Sequence, residues 1–133
     1  MNQKTIMIVD DKPSLMSLFS AQITDLAPCA VQILSYNDAK LALVFLRLPE
    51  TKDIIIFTDY EMPGMNGVAF ITALQDYVAI KSFRIFIMSA CEKNYIQEQL
   101  QFAQVEHLVQ DILKKPEMFK METMKTFLHK LLR

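Results

Sequence analysis

Four short apolar runs, Ile6-Met7-Ile8-Val9, Val31-Gln32-Ile33-Leu34, Ile54-Ile55-Ile56-Phe57 and Ile85-Phe86-Ile87-Met88, most constrain what this chain can fold into. Three are uninterrupted, which is the pattern of strands covered on both faces; a half-exposed strand would alternate polar with apolar. A weaker fifth run extends from His107-Leu108-Val109 to Ile112-Leu113, broken by Gln110 and Asp111. Helix-period segments lie between the runs. Leu15, Leu18, Phe19, Gln22 and Leu26 mark one, with Pro13 at its first turn. Asn37 or Asp38 is placed to cap the next, which carries Ala39, Ala42, Leu43 and Leu46. Phe70, Leu74 and Tyr77 mark a third, and Ile96, Leu100 and Ala103 a fourth. The last follows Pro116 and is expected to bury Met124, Phe127, Leu128 and Leu131. Strand and helix thus alternate five times, which requires parallel strands and crossovers that lay helices on both faces of the sheet.

The 133 residues suit one domain, and a 52% hydrophobic content supplies a core without disulfides or a structural metal. A formal charge of −1 gives no basic surface for nucleic acid. The apolar stretches are too short to cross a bilayer, and the lead-in Met1-Asn2-Gln3-Lys4-Thr5 lacks the features of a signal peptide. Cys29 and Cys91 match no disulfide framework or zinc pattern, so a reducing, cytoplasmic setting is expected. Gly64 and Gly67 share one loop, and the first strand ends in Asp-Asp-Lys-Pro. That excludes a glycine-rich nucleotide turn at the usual place.

In an open parallel sheet, sites form beyond the carboxyl ends of the strands. The first strand ends here in Asp10 and Asp11, the third in Thr58 and Asp59, the fourth in Ser89 and the fifth in Lys114 and Lys115. Crowded carboxylates repel, and a hard divalent cation relieves them. Mg²⁺ suits because it takes one or two carboxylates together with phosphate oxygens and water. A carboxylate beside such a cation can serve as nucleophile, with a hydroxyl and an ammonium to meet the charge on a phosphoryl group. The set therefore reads as phosphoryl transfer to a carboxylate.

Ile8-Val9-Asp10-Asp11, the segment Thr58-Asp59-Tyr60-Glu61-Met62-Pro63-Gly64-Met65-Asn66-Gly67, Met88-Ser89-Ala90 and Lys115-Pro116 together resemble the receiver domain of bacterial response regulators, in its single-domain, chemotaxis-regulator form. The resemblance implies a flavodoxin-like, doubly wound α/β fold with five helices and a parallel five-stranded sheet of order 2-1-3-4-5. It implies a single receiver domain over residues 1–133 with no output domain. By the same resemblance Asp59 accepts the phosphoryl group from a histidine kinase. Asp11 ligates Mg²⁺ directly and Asp10 largely through water, beside Asp59 and the backbone carbonyl of Glu61. Ser89 and Lys115 contact the phosphoryl group, Lys115 being preferred to Lys114 because it directly precedes Pro116. Such a protein is no enzyme beyond its own phosphotransfer and autodephosphorylation. It signals by phosphorylation-dependent contacts with a downstream protein, through the face of the fourth helix, fifth strand and fifth helix, as a monomer or a phosphorylation-dependent dimer. No nucleic acid or membrane partner is implied.

Singly, these residues have plainer readings. Asp10-Asp11 could cap the first helix, and Asp59 could be a turn residue. Their joint placement on four strand ends favours the site. His107, His129 and the Lys and Arg residues of the last helix read as surface, and Cys91 as an inert thiol near the site. Tyr95 and Phe102 share a helix face that is either core or a partner surface. Many family members carry Tyr or Phe where this chain has Ile112, and an aliphatic side chain cannot swing a hydroxyl between core and surface. That departure, with Glu61 close to the acceptor, leaves a receiver-fold binding module independent of phosphorylation as the alternative. A phosphatase with an aspartyl-phosphate intermediate fits less well, since its nucleophile would end the first strand and a cap region would be needed.

Overall fold

The computed structural model describes residues 3–51, 53–78 and 81–133; Met1 and Asn2 of the expected 1–133 domain lie outside the described residues. Five strands alternate with five helices: β1 (Lys4–Val9), α1 (Pro13–Leu26), β2 (Val31–Tyr36), α2 (Ala39–Leu46), β3 (Ile54–Asp59), α3 (Gly67–Val78), β4 (Phe83–Ser89), α4 (Lys93–Phe102), β5 (Val109–Lys114) and α5 (Met121–Leu131). All strand pairs are parallel, in the order β2-β1-β3-β4-β5. The chain starts near the middle of the sheet, builds β2 on one side, then crosses back over β1 to build the rest. The doubly wound order implied by the resemblance is the one observed.

Pleating divides each central strand between two cores. Met7, Val9, Ile54, Ile56, Ile85 and Ile87 point to the layer containing Ala42, Leu46, Phe70, Leu74, Ile96 and Leu100 of α2, α3 and α4. Their neighbours Ile6, Ile8, Ile55, Phe57, Phe86 and Met88 point to Phe19 and Ile23 of α1 and to Met124 and Leu128 of α5. This is why the runs are continuous: either parity of side chain meets a helix. Aromatic contacts fill the second layer: Phe57 meets Phe19 edge-on at 5.0 Å and stacks on Phe86 at 5.2 Å between ring centroids.

Local signals set the helix ends. Pro13 opens α1, where its missing N–H costs nothing. Asp38 caps α2 by accepting a hydrogen bond from the Lys40 N–H at 2.8 Å. The far end of α2 is met by Lys81, whose ammonium donates to the carbonyls of Leu46 and Leu48 at 2.6 and 2.7 Å.

Three sequence expectations shift. The buried face of α1 is Phe19 and Ile23, flanked by the partly buried Met16 and Leu26, whereas Leu18 is exposed. His107 and Leu108 belong to a short 3₁₀ turn, and β5 begins at Val109 with a register irregularity that leaves Gln110 out of the pairing with β4. After Pro116 a second 3₁₀ turn, Glu117–Phe119, precedes α5, in which Met124 and Leu128 are fully buried and Phe127 and Leu131 only partly.

The two aromatic environments differ enough to test. Phe70→Ala, which empties a fully buried site, is expected to cost about 3–5 kcal/mol of unfolding free energy. Phe102→Ala, at a side chain 93% exposed, is expected to stay within about 0.5 kcal/mol. Urea denaturation measures both.

Candidate functional site

Reversal of strand order between β1 and β3 brings two distant acidic stretches together. Asp10 and Asp11 follow the last residue of β1, and Asp59 ends β3, which pairs directly with β1. One oxygen from each of the three carboxylates lies within 4.8 Å of the others. Asp10 and Asp59 are almost wholly buried, at 1% and 3% exposure, while Asp11 is partly open. Ser89, at the end of β4, is buried beside them. Lys115, just past β5, completes the rim.

Backbone contacts fix this geometry. The Asp10 N–H donates to the Tyr36 carbonyl at 3.1 Å, continuing the sheet past β1. The Tyr60 N–H donates to the Met88 carbonyl at 3.0 Å, and the Lys115 N–H to the Ser89 carbonyl at 2.8 Å. These bonds hold the ends of β3, β4 and β5 in step. The loop after Asp59 then turns back on itself through Gly64 at φ +79°. At Gly67 a side chain is excluded by crowding: a Cβ would lie 2.7 Å from the Asp59 carbonyl oxygen and 3.1 Å from the Tyr60 Cα. The Gly67 N–H donates to the Tyr60 carbonyl at 2.8 Å, and Asn66 caps α3 through the Ala69 N–H at 2.9 Å.

Two ammonium groups meet the three carboxylates. Lys115 Nζ lies 3.1 Å from Asp10 Oδ2 and 3.1 Å from Asp59 Oδ1, with its side chain only 11% exposed. Lys114 points away, donating to the carbonyls of Ala90 and Cys91. Lys12 Nζ lies 3.3 Å from Asp59 Oδ2 and 3.4 Å from Asp11 Oδ1. Burial pushes the Asp59 carboxyl above its usual range; Lys115 opposes this and the nearby Asp10 charge adds to it. Burial pulls the Lys12 ammonium down, but Asp59 and Asp11 together outweigh it and the net direction is up.

A cleft of about 240 Å³ lies over this cluster, lined by Lys12, Leu15, Asp59, Glu61, Ser89, Ala90 and Lys115. A more open hollow of about 450 Å³ adjoins it, against Asp11, Lys12, Tyr60, Glu61, Met62, Pro63 and Asn66. Ser89 Oγ accepts the Cys91 N–H at 2.9 Å, leaving its own hydrogen free to turn toward the cleft. Across the mouth, the Cys91 thiol donates to Glu61 Oε1 at 2.9 Å, and that carboxylate holds the thiol protonated by raising its pKa.

Asp10, Asp11, Asp59, Ser89 and Lys115 thus converge, and Glu61 lines the same cleft. Lys12 was missed by sequence reasoning; its signal is a lysine set directly after two carboxylates at a strand end. The plain helix-cap reading of Asp10-Asp11 is not what is observed. Lys12 is the N-cap residue of α1, without a side-chain cap bond, and Asp10 Oδ1 instead accepts the Lys12 N–H at 2.9 Å. Tyr95 and Phe102 are exposed, at 49% and 93%, while Ile96 and Leu100 fill the core. Tyr95 sets its ring edge-on to Tyr60 at 6.2 Å. Burial, then the neighbouring Tyr95, pushes the Tyr60 hydroxyl up to about 12. Ile112 is 9% exposed within the aliphatic layer under α4, paired with Ile87.

Among the described residues no helix is long and apolar enough to cross a membrane. A comparison with curated protein sequences finds no match. Solved structures do match in fold. The chemotaxis response regulator CheY4 of Vibrio cholerae is 20% identical, with a TM-score of 0.76 over 98% of this chain and 99% of that one. A signal receiver domain of an HD domain-containing protein from Pseudomonas fluorescens Pf-5 is 15% identical, with a TM-score of 0.74 over 98% of this chain and 95% of that one. The response regulator RcsB of Salmonella typhimurium is 18% identical, with a TM-score of 0.71, and the match takes in all of this chain but 62% of that one. The family model for the response regulator receiver domain matches residues 6–127, nearly the whole of the sheet and its helices. The chain belongs to the response regulator receiver-domain family of two-component signalling.

Proposed function

We propose that the protein accepts a phosphoryl group on Asp59 from the phosphohistidine of a histidine kinase, in a Mg²⁺-dependent reaction. The phosphorylated form then signals through contacts with a downstream protein. The observation that carries this reading is the buried Asp59 carboxylate, held 3.1 Å from the Lys115 ammonium within a three-carboxylate cluster that opens on a cleft.

The donor set fits a hard cation: three carboxylates converge with fewer than three compensating charges nearby, and the two ammonium groups already stand in for cationic charge. Asp10, Asp11 and Asp59, with the backbone carbonyl of Glu61, would hold Mg²⁺, which supplies positive charge against the phosphoryl oxygens. The remaining roles belong to the chain. An Asp59 oxygen forms a bond to phosphorus as the phosphorus–nitrogen bond of the donor breaks, and the freed imidazole takes a proton from solvent. Lys115 turns from the carboxylate charge to the phosphoryl charge without leaving its place beside Asp10. Ser89 gives its hydroxyl hydrogen to a phosphoryl oxygen. The cleft mouth between Glu61 and Cys91 governs how water reaches the acyl phosphate. Downstream recognition fits the face of α4, β5 and α5, where Lys93 of α4 pairs with Asp111 of β5 at the surface.

A second reading, a binding module indifferent to phosphorylation, draws on Ile112. Its burial among aliphatic neighbours leaves no aromatic hydroxyl at that position to follow Ser89. The two readings part on Asp59→Asn: partner binding unchanged by this substitution and by phosphodonor supports the second.

Treatment with a small-molecule phosphodonor and Mg²⁺ is expected to add one acid-labile phosphoryl group on Asp59, mapped by mass spectrometry after hydride trapping. Its absence with every donor, in protein shown to be folded, overturns the first reading. Mg²⁺ at a hundred times its Kd is expected to stabilise the parent by about 2.7 kcal/mol, raising Tm by several degrees. Asp59→Asn is expected to lose most of that rise.

The raised Asp59 pKa has a defined sign. A folded state that holds this proton more tightly gains stability below the ordinary carboxylate pKa and loses it as pH climbs through the raised value. Metal-free Asp59→Asn is therefore expected to exceed the parent in Tm at neutral pH, and the gap is expected to shrink on acidification. Thermal unfolding in chelator from neutral to acidic pH measures it.

A further inference from the structure

Lys12 has no part in the transfer described above, yet its ammonium lies inside the acidic cluster. It bridges Asp11 Oδ1 at 3.4 Å and Asp59 Oδ2 at 3.3 Å, joining two of the three carboxylates that converge there. The backbone at this point is fixed: the Lys12 N–H donates to Asp10 Oδ1, and Pro13 begins α1 immediately after. The side chain is not fixed in the same way. It is 51% exposed, against 11% for Lys115, so its stem can swing to water without opening the fold. A divalent ion shared by Asp11 and Asp59 would meet a full positive charge on the same two carboxylates. Like charges at that range exclude one another.

We propose that Lys12 is a built-in counter-cation that competes with Mg²⁺ for Asp11 and Asp59, so that metal uptake and release of this ammonium are one exchange and Lys12 sets the metal affinity of the site. The proposal rests on the phosphoacceptor reading above, and it adds a regulator to it. Without metal, Lys12 and Lys115 keep the cluster close to neutral and the cleft partly covered. With metal, the Lys12 ammonium is redundant and moves to the rim, while Lys115, deeper and bound to Asp10, stays. Lys12 is thus a positioning and affinity-determining residue; it exchanges no atom with the phosphoryl group.

Three proteins test this: the parent, Lys12→Met, which keeps the stem and removes the charge, and Lys12→Arg, which keeps the charge. Mg²⁺ titrations are followed by amide chemical shifts of Asp11, Asp59 and Gly67. Lys12→Met is expected to bind Mg²⁺ about tenfold more tightly than the parent, the size of a two-partner, half-exposed charge contact. Lys12→Arg is expected to stay within about twofold of the parent. A Lys12→Met protein that binds Mg²⁺ as the parent does, or more weakly, overturns the exchange while leaving the phosphoacceptor reading intact. Signals that stay unmoved in all three proteins overturn both. Lys12→Gln repeats the measurement should Lys12→Met fold poorly. Metal-free unfolding adds a readout that simple packing would not move. Loss of the Lys12 charge is expected to lower Tm in the parent background and much less in Asp59→Asn, and an equal loss in both overturns the proposal.

Discussion

Three carboxylates that repel one another are held together by the sheet, and much of the upper rim is organised around containing them. Asp10 follows β1 directly and Asp59 ends β3, and the pairing of those two strands keeps the carboxylates close. Relief must come from cations brought to them. Lys115 arrives from the far side of β4, held by its N–H to the Ser89 carbonyl, and Lys12 arrives from the mouth of α1. Charges crowded and buried in this way are costly to hold without such compensation.

The unequal depth of the two lysines separates their duties. Lys115 is nearly enclosed and touches both buried carboxylates, so it is present whatever else the site holds. Lys12 spans an inner carboxylate and an outer one, with half of its side chain in water. A buried ion pair persists through changes of solvent, whereas an exposed one is readily exchanged. One lysine belongs to the frame and the other to the entrance.

Much of this architecture was legible in the chain because its signals are local or periodic. Continuous runs such as Ile54-Ile55-Ile56-Phe57 announce strands covered on both sides, and Asp38 and Pro13 mark helix starts. The rim residues could be found because strand ends are identifiable and a parallel sheet collects them. What escaped depends on packing between distant segments. The Lys12–Asp59 contact links residues 47 apart, and a lysine before a proline otherwise reads as a solvated helix start. Leu18 looked buried by spacing, but only the approach of α1 to the sheet selects Phe19 and Ile23. At β5, the chain had to shed Gln110 from the ladder before Ile112 could face the core, and no periodicity encodes an unpaired residue.

The fit of Gly67 against the Asp59 backbone has a mechanical outcome. With the Asp59 carbonyl so close that not even a methyl group could be placed between them, the start of α3 forms a wall behind Asp59. Displacement of the loop in that direction is blocked by backbone on backbone, the least compliant contact a protein offers. On its other side the same stretch is tied to β4, the Tyr60 N–H donating to the Met88 carbonyl one residue before Ser89. One missing side chain at the start of α3 is what lets the two backbones meet.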